Sequence, residues 1–159
     1  MNMQNLKAVI SEAVAESHDN GYGRAEWTKC IKRKIVEYAK KEGLYSCAAG
    51  VDNADWGEWL YDLTILKYFD NDSNSDIEST ELVLESEWDT DDLSIIVDFQ
   101  KLLLANAKLK VMIYYQNTNV LETLKKAVWN YRTCNGEFLI TFIRKEDLGK
   151  AEFIELNAS

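Results

Sequence analysis

A chain of 159 residues, 47% of them hydrophobic, is long enough to bury one core without a disulfide or a structural metal, and a single domain over residues 1–159 is expected. The three cysteines are widely spaced and the one histidine is His18, which argues against a zinc site of cysteine and histidine and predicts reduced thiols in a cytoplasmic setting. The net charge of −9 argues at first against a nucleic-acid partner, because lysine and arginine drive phosphate binding, yet ten acidic residues lie between Asp70 and Asp92 with no basic one, leaving 17 acidic against 18 basic elsewhere.

Residues 3–17 place Leu6, Val9, Ile10, Ala13 and Val14 at the spacing of an amphipathic helix. Glu12, Glu16 and Asp19 interrupt any apolar run of the kind a signal peptide or membrane span needs, so neither is expected. HDNGYG breaks the helix and puts His18 in an exposed loop with no serine or cysteine motif beside it, so a nucleophile triad is not supported. A second helix over residues 25–41 carries Trp27, Ile31, Ile35 and Tyr38 and stops at Gly43. It is locally basic, with Arg24, Lys29, Lys32, Arg33, Lys34, Lys40 and Lys41 against Glu26 and Glu37, a pattern that suits a solvated face better than a phosphate contact.

Residues 44–49 form a short apolar strand, and residues 58–68 (EWLYDLTILKY) and 81–88 (ELVLESEW) read as two further strands on their aromatic and β-branched content. FDNDSNSDIEST is the polar loop between them. Over residues 91–107 the apolar positions Leu93, Ile96, Val97, Leu103, Leu104 and Ala107 take the helical period; Asp89 or Thr90 caps this helix, which is expected to be well buried. A strand at residues 109–115, a helix at 119–131 with an Asn-x-x-Glu start, a strand at 137–144 after the Asn135-Gly136 turn, and a short strand at 152–156 complete the chain. Trp56, Trp59, Trp88 and Trp129 are expected in the core rather than as base-stacking platforms. No GxGxxG or GxxxxGK[ST] phosphate loop is present.

Residues two apart on a strand share a face, so Glu85 and Glu87 point the same way from an otherwise apolar run. Asp62 lies inside the apolar strand WLYDLTIL. Burying unpaired carboxylates costs several kcal/mol, so three acids on a sheet call for a cation or basic side chains. Carboxylate oxygens are the hard ligands that Mg²⁺ and Mn²⁺ prefer. The same spacing also suits the solvent face of an edge strand with Asp62 as a satisfied polar group, and spacing alone leaves both readings open.

With those residues in place, the chain from about residue 25 to residue 115 resembles the PD-(D/E)xK, or restriction-endonuclease-like, nuclease superfamily. Asp62 in WLYDLTIL matches the acid of the family's second strand, and Glu85 in LVLESEW matches the acid of its third. The helix and strand DFQKLLLANAKLKVMIYY follow as in bacterial members with an ESEW strand and a DF-x-KLL helix. The resemblance implies a three-layer α/β fold with a mixed central sheet flanked by helices, core order α-β-β-β-α-β, extended here by a C-terminal α-β. It implies metal-dependent phosphodiester hydrolysis on DNA, with Asp62, Glu85 and Glu87 around Mg²⁺ or Mn²⁺ and a homodimer as the family's common assembly.

The chain departs from the pattern in two ways: Glu87 stands where the family usually has lysine, and no proline precedes Asp62. Lys101 on the following helix is the residue expected to replace that lysine, although an i, i+3 pair with Asp98 suits it equally. Glu37 is a weaker candidate for an outer ligand. The rival reading is a nuclease-like domain without activity, or an inhibitor- or immunity-type module that meets a basic protein through Asp70 to Asp92.

Overall fold

The computed structural model describes residues 1–116, 120–131, 133 and 135–157. The elements, in order, are α1 (Met3–Asp19), α2 (Arg24–Lys41), β1 (Tyr45–Cys47), β2 (Leu63–Tyr68), β3 (Ile77–Glu87), α3 (Asp92–Leu104), β4 (Leu109–Gln116), α4 (Val120–Asn130), β5 (Glu137–Arg144) and β6 (Ala151–Asn157), with a 3-10 turn at Phe69–Asn71. The Asn119 start expected for α4 lies outside the described residues, as does Cys134; Cys30 and Cys47 are buried free thiols.

All six strands form one mixed sheet in sequence order. β2 runs antiparallel to both β1 and β3, β3, β4 and β5 run parallel, and β6 returns antiparallel to β5. The period-2 pattern divides the apolar side chains between two faces. Leu82, Leu84, Val111, Ile113 and Leu139 pack with α1 and α2, while Val83, Met112, Tyr114, Phe138 and Ile140 pack with α3 and α4. The α/β class with a mixed sheet therefore stands, with helices on both faces. Among the described residues no helix is long and apolar enough to cross a membrane.

Gly136 is required where it stands: its φ is +80°, and a Cβ there would lie 2.4 Å from the Ala107 carbonyl oxygen. That close approach lets Glu137 N–H donate to Lys108 O at 2.8 Å and sets β5 beside β4. Gly43, at φ +71°, ends α2 where the sequence placed its stop.

Several expectations need correction. The strand foreseen over residues 58–68 begins only at Leu63, and residues 58–62 are bends and irregular chain. The strand foreseen at residue 81 starts four residues earlier, at Ile77, inside the stretch read as loop. His18 is exposed as expected, but in the last turn of α1. Asp91, not Asp89 or Thr90, caps α3 by accepting the Ser94 N–H at 3.1 Å.

α3 is only half buried. Ile95, Phe99 and Leu102 face the sheet, whereas Leu93, Val97 and Leu104 are exposed because one helix packed on one side of a sheet hides a single stripe. Trp56, Trp59 and Trp129 are likewise exposed rather than in the core. Trp59 belongs to the irregular chain before β2, Trp129 to the last turn of α4, and Trp56 stacks at the surface on Tyr45, ring centroids 5.7 Å apart. Most basic residues of α2 are engaged rather than simply solvated: Lys32 donates to Ala49 O at 2.8 Å, Lys34 pairs with Glu12 and Glu16, Arg33 with Glu16, Lys40 with Asp55 and Arg24 with Asp89, while Lys29 and Lys41 are exposed.

Candidate functional site

β3 carries Glu85 and Glu87 on the face covered by α3, alternating with Leu82, Leu84 and Ser86 on the other, while Glu81 sits at the register shift opposite Ile65 and Leu66 and meets Lys108 and the N-terminal ammonium. Leu63 pairs with Leu84, so Asp62 and Glu85 are neighbours across the antiparallel pair at the point where β2 begins. The Asp62 carboxylate accepts both the backbone N–H of Ser86, at 2.8 Å, and its hydroxyl, at 2.7 Å. A side chain thus takes the place of the next ladder carbonyl, which is why regular pairing stops at Leu63 and residues 58–62 turn away.

Glu85 is 4% exposed, and its Oε1 has no hydrogen-bond partner among the described residues. Lys101 Nζ stands 3.4 Å from that oxygen, near enough for an ion pair but without the geometry of a hydrogen bond, and is 2.7 Å from Asp98. Burial, and next the charge of Asp62, push the Glu85 carboxyl up to about 7, with Lys101 only partly offsetting them. The hydrogen bond to Asp98, helped by the charge of Glu85, holds the Lys101 ammonium above the usual lysine value. Tyr61 senses the same acid: burial, then Glu85, raises its phenol. A buried, incompletely satisfied carboxylate is rare enough in folded proteins to need a reason.

Of the four expected site residues, Asp62, Glu85 and Lys101 are thus brought together. Glu87 lies on the same face at the end of β3, and its Oε1 accepts the backbone N–H of Asp89 at 2.7 Å. Among the described residues no three acid, histidine or cysteine side chains are arranged to hold a metal. Glu37 is exposed and lines a separate cleft with Lys29 and Arg33. Lys101 makes the i, i+3 pair with Asp98 and also reaches Glu85.

Ser86 and Thr28, which sequence reasoning passed over, and Trp88, which it placed in the core, complete the surroundings. Ser86 holds Asp62, and its hydroxyl is 3.3 Å from the Thr28 hydroxyl of α2, which accepts the Trp88 indole N–H at 2.7 Å. Because the indole can only donate and a carboxylate can only accept, the chain runs one way: Trp88 to Thr28 to Ser86 to Asp62. Its one sequence signal is that Ser86 and Trp88 share a strand face by their spacing; Thr28 on a distant helix gave none.

The acidic stretch from Asp70 to Asp92 is not one patch. It runs through the 3-10 turn, β3 and the first turn of α3, with Glu78 paired to Lys67, Glu81 to Lys108 and Asp89 to Arg24. Compared with protein-family models, with curated proteins and with solved structures, the chain matches none.

Proposed function

We propose that the protein is a metal-dependent phosphodiesterase of the PD-(D/E)xK type acting on DNA, with Asp62 and Glu85 as metal ligands and Lys101 as the cation of the reaction. The observation that carries this reading is the buried Glu85 carboxylate, with one oxygen lacking a hydrogen-bond partner, set beside Asp62 and Lys101. Two carboxylates suit Mg²⁺, which keeps several waters and takes further oxygens from a phosphate, so a third acid is not a requirement. When bound, such an ion lowers the pKa of water and stabilises charge on a phosphoryl group.

The chain's own residues supply the rest. Ser86 fixes Asp62 in one orientation through two hydrogen bonds. Lys101, 48% exposed and held by Asp98, is placed to stabilise negative charge developing on the phosphate. Glu87 is the further acid at the end of β3, suited to orienting water once its contact with Asp89 is exchanged. The strand order, an antiparallel β1-β2-β3 followed by parallel β4, supports the nuclease-like reading.

The rival, a non-catalytic module that binds a basic protein or a nuclease-like domain without activity, draws support from the engaged Glu87 oxygen and from the lack of a three-acid group among the described residues. Nicking of a supercoiled plasmid with Mg²⁺ or Mn²⁺, compared with chelator and with Asp62→Asn, separates the two. Metal-dependent nicking that Asp62→Asn abolishes is expected; an inert wild type, or a variant that nicks equally well, overturns the enzyme reading in favour of the rival.

A further inference from the structure

The candidate site lies on the α3 side of the sheet. At the same end, on the α2 side, lies a cleft of about 310 Å³ between the start of α2 and the ends of the parallel strands. Tyr22, Trp27, Trp88 and Tyr115 line it, together with Leu148 and Arg24. Trp88 directly follows β3 and Tyr115 is the next-to-last residue of β4, so the cleft opens at the carboxyl ends of parallel strands. Crevices there are where open α/β sheets take their ligands.

The cleft is apolar but not anonymous. Aromatic side chains line it, and Trp27 and Trp88 already stand edge to face, ring centroids 5.5 Å apart, which fixes their orientation. Arg24 is paired with Asp89 at 3.1 Å, and with both side chains more than 60% exposed that pair is weak enough to be exchanged for a phosphate. Flat π-faces beside an exchangeable guanidinium match a nucleotide better than a lipid or an aliphatic metabolite. Trp88 belongs to the cleft and also begins the hydrogen-bond chain that ends on Asp62, so the cleft and the candidate acid share one set of side chains.

We propose that this cleft is a nucleobase subsite: an unpaired base of the substrate strand stacks on its aromatic wall while Arg24 takes the flanking phosphate. The proposal rests on the phosphodiesterase reading for the identity of the strand. A base inside a duplex is already stacked and paired, so the occupant comes from a single strand, a mismatch or a flipped nucleotide. With few polar groups in the wall, the subsite tolerates any base.

The test is binding without metal, read by fluorescence anisotropy with a labelled short oligothymidylate and an abasic oligomer of the same length. Base stacking of this kind predicts that the wild type binds the thymidylate at least about tenfold more tightly than the abasic strand. Tyr22→Ala removes an aromatic lining residue and Leu148→Trp fills the cleft, both at exposed positions; each, shown folded by circular dichroism, is expected to erase that preference. Equal binding of the two oligomers, no binding of either, or a preference that survives Leu148→Trp overturns the proposal. Loss of nicking is a separate result: if the wild type prefers the base-bearing strand yet never cleaves DNA, the subsite stands and the enzyme reading fails.

Discussion

Glu81 and Glu85 lie four residues apart on β3 and are similarly buried, at 6% and 4% exposed, yet the structure treats them oppositely. Glu81 Oε1 accepts from Ser79 and from Lys108, each at 2.6 Å, and the N-terminal ammonium is 3.9 Å from its other oxygen. Burial pushes its carboxyl up, but these partners together bring it below the usual carboxylate range. Glu85 meets the same burial with a second acid beside it and a lysine shared with Asp98, and ends near 7. Burial alone therefore does not set a carboxylate's protonation; the completeness of its partners does.

That contrast can be broken in several ways. Glu85→Gln is expected to lower metal-dependent nicking by roughly a thousandfold, while Glu81→Gln changes it by less than about threefold, measured as initial rates on supercoiled plasmid. Next in size, Lys101→Met is expected to cost on the order of a hundredfold in rate, because it removes the charge placed to meet the developing anion.

Stability should move in opposite directions. Glu85 has a folded pKa raised above its unfolded value, so the penalty for ionising it is absent below about pH 4.5, grows as pH rises, and is complete above about pH 7. Urea unfolding at pH 8 should therefore find Glu85→Gln more stable than the wild type by about 2–3 kcal/mol, and no more stable at pH 4. Glu81 has a lowered folded pKa, so its contribution is present above its unfolded value and lost as pH falls through the folded one. Glu81→Gln should be less stable at pH 8 by about 1–2 kcal/mol. Variants shifting in the same direction at pH 8 would remove the distinction between the two acids.

The smallest effect concerns the support of Asp62. Thr28→Val leaves the Trp88 indole and the Ser86 hydroxyl without their shared partner, and is expected to weaken metal affinity about tenfold, with rescue by Thr28→Ser. A Thr28→Val protein with unchanged affinity would reduce the chain to packing alone.

The order of helices and strands was legible because apolar period and turn residues report it directly, as at Gly43 and Gly136. Asp62, Glu85 and Lys101 were legible as a set only through the resemblance, since spacing alone allowed a solvent-facing pair. The difference between Glu81 and Glu85 was not legible, because it depends on Lys108 and the chain terminus reaching one acid and Lys101 being shared at the other. Nor was the exposure of Leu93, Val97 and Leu104: a helical period locates an apolar stripe without telling how much of it a neighbour covers. Nothing in ESEW marked Ser86, whose part comes from its two hydrogen bonds to Asp62.

The most direct measurement is calorimetric titration of Mn²⁺ into the wild type, Glu81→Gln and Glu85→Gln at pH 8. The account predicts that the wild type and Glu81→Gln bind the ion with similar affinity and that Glu85→Gln does not. A wild type that binds no ion, or three proteins that bind it alike, would contradict the claim that the incompletely satisfied carboxylate of Glu85 is the centre of the site.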